Sequence, residues 1–100
     1  MRFAAGSTDV ATAGTQVQLS NTRDKVIWAQ LSAPASNSGL TFVGGPDVSS
    51  SNGYTLGASG GIDATIVLNP GEFGGSFEFS SIWVDAATHG DNVAWVVILQ

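Results

Sequence analysis

The chain contains no cysteine, which excludes disulfides, thiolate nucleophiles and cysteine-based metal sites together. Charge of either sign is scarce, at 11% of residues where an ordinary soluble domain carries about a quarter. Cations are the scarcest: Arg2, Arg23 and Lys25 face eight acidic residues, for a formal net charge of −5. A phosphate-tracking surface cannot be built from three such residues, so nucleic acid is not an expected partner. His89 is the only histidine, so one chain cannot supply a His-His metal pair. The longest apolar run, Val93 to Leu99, falls far short of the roughly 20 residues that span a bilayer, and no membrane partner is expected. Met1 to Gly6 carries one positive charge with no long apolar stretch behind it, so no secretory signal is read there.

What remains is 43% hydrophobic residues and 13 glycines in 100 positions, enough for one folded domain with its own core. Ser, Thr, Asn and Gln replace the missing charge, which suits a surface that packs against neighbours. Residues 1–14 show no sustained period and read as an N-terminal arm or a loose first strand. Residues 15–100 read as a single β-sandwich domain.

Hydrophobic alternation identifies the strands. Thr15 to Ser20 places Val17 and Leu19 on one side and Gln16 and Gln18 on the other. In Lys25 to Ser32, Ile27, Ala29 and Leu31 form one face, and Val26 and Trp28 make the other partly apolar. Ala33 to Gly39 is turn-rich and precedes Leu40 to Val43, a pattern that predicts a hairpin. Tyr54 to Leu56 can supply only a short strand, and Ile62 to Leu68 alternates with Ile62, Ala64, Ile66 and Leu68 inward. Asn69-Pro70-Gly71-Glu72 has the Pro-Gly order of a type II turn and predicts a second hairpin. Ser76 to Phe79 and Ile82 to Asp85 follow, before the apolar strand at the end. No helical repeat is present. The pattern predicts an all-β fold, a small antiparallel β-sandwich or jelly-roll-like domain of seven to eight short strands.

Side chains of a strand alternate between faces. Val93, Trp95, Val97 and Leu99 therefore share one face, and Ala94, Val96 and Ile98 the other, and both are apolar. The core of the domain explains one face and leaves the second for a subunit contact or a loop folded over it.

Candidate chemistry is thin. Asp85, His89 and Asp91 lie within one loop region and could hold a divalent cation, but these are also ordinary turn residues that bond local backbone. Glu72 with Glu78, or Asp63 with Glu72, could form a glycosidase-type carboxylate pair, but Glu78 and Asp63 sit on the polar phase of their strands, which favours solvated face residues. No G-x-S-x-G elbow accompanies the many serines, and the glycine-rich Gly57 to Gly61 lacks a following helix to make a phosphate cradle. The expectation is a protein that is not an enzyme, with no cofactor and no metal. Trp28, Trp83 and Trp95 could form a sugar-stacking platform, but their Val and Ile neighbours favour core or subunit packing. Trp28, Trp83, Trp95, Val96 and Ile98 are the candidate contacts for self-association or capsid binding, since hot spots favour Trp and buried aliphatic centres.

The segments VQLSNTRDKVIWAQLSAPASNSGLTFVGGPDVSSSNGYTLGASG, LNPGE and SIWVDAATHGDNVAWVVIL, in that order from about Thr15 to the end, resemble small virion structural proteins of tailed bacteriophages. The most specific parts are Asn37-x-Gly39, Phe42-Val43-Gly44, Val48 through Gly53, and Ile82 through Ala86 followed by a glycine turn and the apolar strand. The resemblance carries no catalytic residue. It implies a capsid decoration (cement) protein on the outer surface of the virion, a homo-oligomer and typically a trimer, that binds and bridges the major capsid protein. The alternative is a carbohydrate-binding or receptor-binding β-sandwich module of a fibre or tail.

Overall fold

A computed structural model describes residues 1–34, 37–57 and 64–100. The described residues form nine strands in two antiparallel sheets, a small β-sandwich, as the alternation predicts. The first sheet holds Arg2–Asp9 (β1), Lys25–Ser32 (β3), Thr65–Leu68 (β6), Phe77–Glu78 (β7) and Asn92–Leu99 (β9). Its order is β1-β9-β3-β6, with β7 also on β3. The second, β2-β8-β4-β5, holds Val17–Gln18 (β2), Thr41–Gly44 (β4), Tyr54–Leu56 (β5) and Trp83–Ala86 (β8). Ile62 and Asp63, read above as the start of a strand, lie outside the described residues, as do most of Gly57 to Gly61.

The core fills the space between the sheets. Val26, Ala29, Leu31, Val93, Val97 and Leu99 point inward from the first sheet to meet Leu56, Val84 and Ala86 of the second, all buried. Residues 1–14 are more than an arm. Arg2–Asp9 pairs along its whole length with β9, from Arg2 opposite Leu99 to Asp9 opposite Asn92. Its short Ala, Gly, Ser and Thr side chains hide the period but do not weaken the backbone ladder. Trp95 locks the strand in place. The indole lies over Gly6, where an added Cβ would stand 2.8 Å from its Cζ2, and its Nε1 donates to Thr8 Oγ1 at 3.1 Å. Thr8 Oγ1 donates in turn to Leu19 O at 2.6 Å, and Phe79 meets the indole edge-on at 5.0 Å.

Three local expectations are corrected. Val26, not Ile27, joins Ala29 and Leu31 in the core, because a β-bulge at Ile27 inserts one extra residue between the Val26–Leu99 and Trp28–Ile98 pairs. Thr65–Leu68 and Phe77–Glu78 do not pair as a hairpin; both add to β3, at its two ends. Pro70–Phe73 is a 3₁₀ turn capped by Asn69, and it packs over the bulge where a Cβ on Gly71 would come within 2.8 Å of the Ile27 carbonyl. Finally, β3 and β4 do not close a hairpin but belong to different layers, so the chain crosses between sheets there.

Buried polar groups hold that crossing. The Asp91 carboxylate accepts from Ser38 N at 2.9 Å and Gly39 N at 2.9 Å. The Asn37 amide donates to Asn92 O at 2.7 Å and accepts from Asn92 N at 3.0 Å.

Candidate functional site

The two sheets present different outer faces. Loops of the chain itself cover the second sheet. Gly14 N donates to Asp85 Oδ1 at 3.0 Å, Ala13 N donates to His89 Nδ1 at 2.9 Å, and Gln16 Nε2 donates to Pro46 O at 2.7 Å. Val48 sits on Gly44, whose Cβ would meet its Cγ2 at 3.2 Å, and Phe42, Val48 and Asp85 are buried outside the inter-sheet core cluster.

Among the described residues the outer face of the first sheet has only the 3₁₀ turn beside it, at the Ile27 end, where Trp28 and Ile98 are half-buried. The strand registers arrange it in three rows. Phe3, Ile98 and Trp28 form the first; Ala5, Val96, Gln30 and Val67 the second; Ser7, Ala94, Ser32 and Thr65 the third. None of these side chains is charged. Charge begins only at the ends of the strands, with Asp9 beside Asn92 and Lys25 beside Glu78. Phe3 is 77% exposed, Val67 52% and Val96 41%. Next to the first row, Phe3, Ile27, Trp28, Asn69, Gly71 and Ile98 line a shallow depression of about 460 Å³.

The structure brings together three of the five candidate contacts and separates the other two. Trp28, Val96 and Ile98 share this outer face. Trp83 lies on the opposite side of the sandwich, between Gln18 and Gly44 on the outer face of the second sheet, half-buried. Trp95 points inward, in register with Leu31 and Gly6, where it packs against the core. The three tryptophans therefore occupy three different surfaces, and no common platform joins them.

Phe3, Val67 and Ile27 belong to the bare face without having been singled out in the sequence. Phe3, Ala5 and Ser7 do alternate, which was the available signal for Phe3. Val67 stands on what should be the polar side of its strand, and Ile27 reaches the depression only through the bulge.

Of the carboxylates and the histidine weighed above for chemistry, Asp63 lies outside the described residues and the others have structural partners. Asp85 Oδ1 accepts from Gly14 N and Ala86 N, Asp91 cradles the crossing, and His89 Nδ1 holds Ala13. Glu72 sits in the 3₁₀ turn, its N–H donating to Asn69 Oδ1 at 3.3 Å. Glu78 pairs with Arg23 at 3.2 Å and Lys25 at 3.6 Å, and Arg2 pairs with Asp24 at 3.5 Å, so each cation of the chain faces an acid. The hydrogen bond from Arg23, and then its charge, holds the Glu78 carboxyl below its ordinary range and raises the Arg23 guanidinium in return. Both groups are solvent-exposed, so the effect on stability is small.

Comparison with known proteins adds no relative: no protein-family model matches the chain, and no curated protein is significantly similar to it. The class the fold and face define is a two-sheet antiparallel sandwich that the described residues cover on one side and leave uncharged and largely bare on the other.

Proposed function

We propose that this protein is a virion structural subunit that acts by assembly rather than by catalysis, and specifically a capsid decoration protein. In this reading it self-associates and clamps neighbouring major capsid subunits on the outer surface of the particle. The observation that carries it is the uncharged outer face of the first sheet, which the described residues leave largely uncovered. The largest apolar patch on a soluble protein, typically about 300–600 Å², is often a functional surface. Four strands of up to eight residues make a face on the order of 500 Å². Docked on a matching surface, it would bury about 1,000 Å² in total, the lower bound for a specific interface. One such contact is weak. Several subunits bound together make each later contact intramolecular, and that multivalency suits a clamp that resists outward pressure from packaged genome.

The test pairs a mass measurement with co-sedimentation on capsids that lack the protein. The unmodified chain is expected to form an oligomer and to saturate the capsid. Val96→Lys, which puts a charge at the centre of the bare face, is expected to weaken capsid binding at least tenfold while leaving the fold intact. A stable monomer that does not bind capsids overturns the reading.

A second reading, glycan binding by a fibre or tail module, draws on the depression beside Phe3 and Trp28, where two rings flank Ile98 and Asn69 offers a polar group. Saturable quenching of tryptophan fluorescence by glycans, lost in Trp28→Ala, would favour it over assembly.

A further inference from the structure

The two sheets have four lateral edges, and they are unequal. β2 has two residues, β5 three and β6 four, whereas β1 has eight. The ladder of β1 with β9 is its only one, and among the described residues no other backbone hydrogen bond involves Arg2–Asp9. In an antiparallel edge strand every second residue turns its N–H and C=O away from its partner. β1 thus presents about four donors and four acceptors outward over roughly 26 Å. Ala5, Gly6, Ser7 and Asp9 are exposed along it. Natural edges are usually blunted by Pro, Lys, a bulge or shortness. β1 has none of these: its register runs unbroken, and its middle is Ala4-Ala5-Gly6-Ser7-Thr8.

We propose that β1 pairs antiparallel with β1 of a second copy, about a two-fold axis at Ala5, joining two five-stranded sheets into one. Three observations select a second copy as the occupant. The strand carries one cation, Arg2, at its start and one anion, Asp9, at its end, with no charge between. Antiparallel alignment sets the Arg2 end of each copy beside the Asp9 end of the other, so the edges meet without like-charge repulsion although the chain carries −5. Directly opposed residues of an antiparallel pair share a face, so residues of equal parity must meet. Centring on Ala5 sets Phe3 opposite Ser7, Ala4 opposite Gly6 and Ala5 opposite Ala5, so the one large side chain meets a small one and the small residues let the two backbones approach. The same axis also places the two bare outer faces on one side, continuous through Phe3 and Ala5 of both copies. The pairing uses the edge and not the face, so it stands or falls separately from capsid binding.

The absence of cysteine makes a direct test possible. Across the axis, Ala5→Cys brings its two thiols within about 5 Å. In Ser7→Cys the two thiols stand four residues apart along the strands, more than about 10 Å. Under mild oxidation, Ala5→Cys is expected to form a covalent dimer at least tenfold faster than Ser7→Cys, and the unmodified chain to show a concentration-dependent dimer by sedimentation equilibrium. Ala5→Lys, which sets like charges face to face, should abolish the dimer, and Val67→Lys, on the same face but the far edge strand, should leave it. Equal cross-linking at the two positions, a monomer at every concentration, or a trimer overturns the proposal. Capsid co-sedimentation of the same variants reads the proposed function independently.

Discussion

Single side chains decide where this small domain is rigid. Two buried acidic residues act as backbone acceptors: Asp91, in the turn before β9, holds Ser38 and Gly39, and Asp85 of β8 holds Gly14. A charged acceptor bonded to two N–H groups is worth more than a neutral one. Asp91→Ala is therefore expected to lower stability by about 2–3 kcal/mol, and Asp91→Asn, which keeps one acceptor oxygen, by less, as read from urea midpoints at constant slope. Thr41 is the opposite case. It is fully buried, and its hydroxyl has no hydrogen-bond partner among the described residues. A buried, unbonded hydroxyl carries a desolvation cost. Thr41→Val, of the same shape, should be neutral or stabilising by up to about 1 kcal/mol in the same denaturation experiment.

At the level of elements, the Ile27 bulge governs what the first sheet shows to solvent. It brings Val26 into the core, sets Ile27 at the depression beside Trp28 and Ile98, and makes room for the 3₁₀ turn, whose Gly71 packs on the Ile27 carbonyl. Gly71→Ala would drive a Cβ into the Ile27 carbonyl, so the turn must shift. The expected result is a loss of about 1–3 kcal/mol, with the Trp28 fluorescence environment changing in the native state as the depression opens. Trp95 works at the same scale from the other side of the sheet. Its contacts with Gly6, Thr8 and Phe79 fasten the edge strand from within, which leaves the outer edge of β1 free to pair.

For the molecule as a whole, the asymmetry between a loop-covered sheet and one left bare by the described residues is the feature on which the proposed assembly rests. Electrostatics contributes little to the stability of the fold. Glu78, held low by Arg23, supplies a stabilising contribution present above its unfolded range and lost as the pH falls through its folded range. Between neutral and acidic pH, stability should therefore fall slightly more in the native chain than in Glu78→Gln. Because the pair is exposed, added salt should shrink the difference, which paired thermal melts at low and high ionic strength would measure.

The fold class was legible from residue order alone, because period-two alternation between turn residues is a local property of a strand. Lys25–Ser32 and Tyr54–Leu56 match their expected limits, and the two apolar faces of the final strand were visible before any pairing was known. The pairings were not legible. Turn chemistry shows where the chain bends and is silent on which strand receives the next one, so both expected hairpins dissolved into additions to β3 and a crossing between sheets. The bulge escaped for the same reason: an extra residue is defined only against the partner strand that it fails to match. Phe3 and Val67 joined the bare face only when register set them beside Val96 and Ile98. Sequence alone determined that the last strand has a second apolar face to cover; tertiary structure decided that the described loops cover the other sheet instead, because Asp85 and His89 draw the Ala13-Gly14 loop, and Val48 seats on Gly44, on that side.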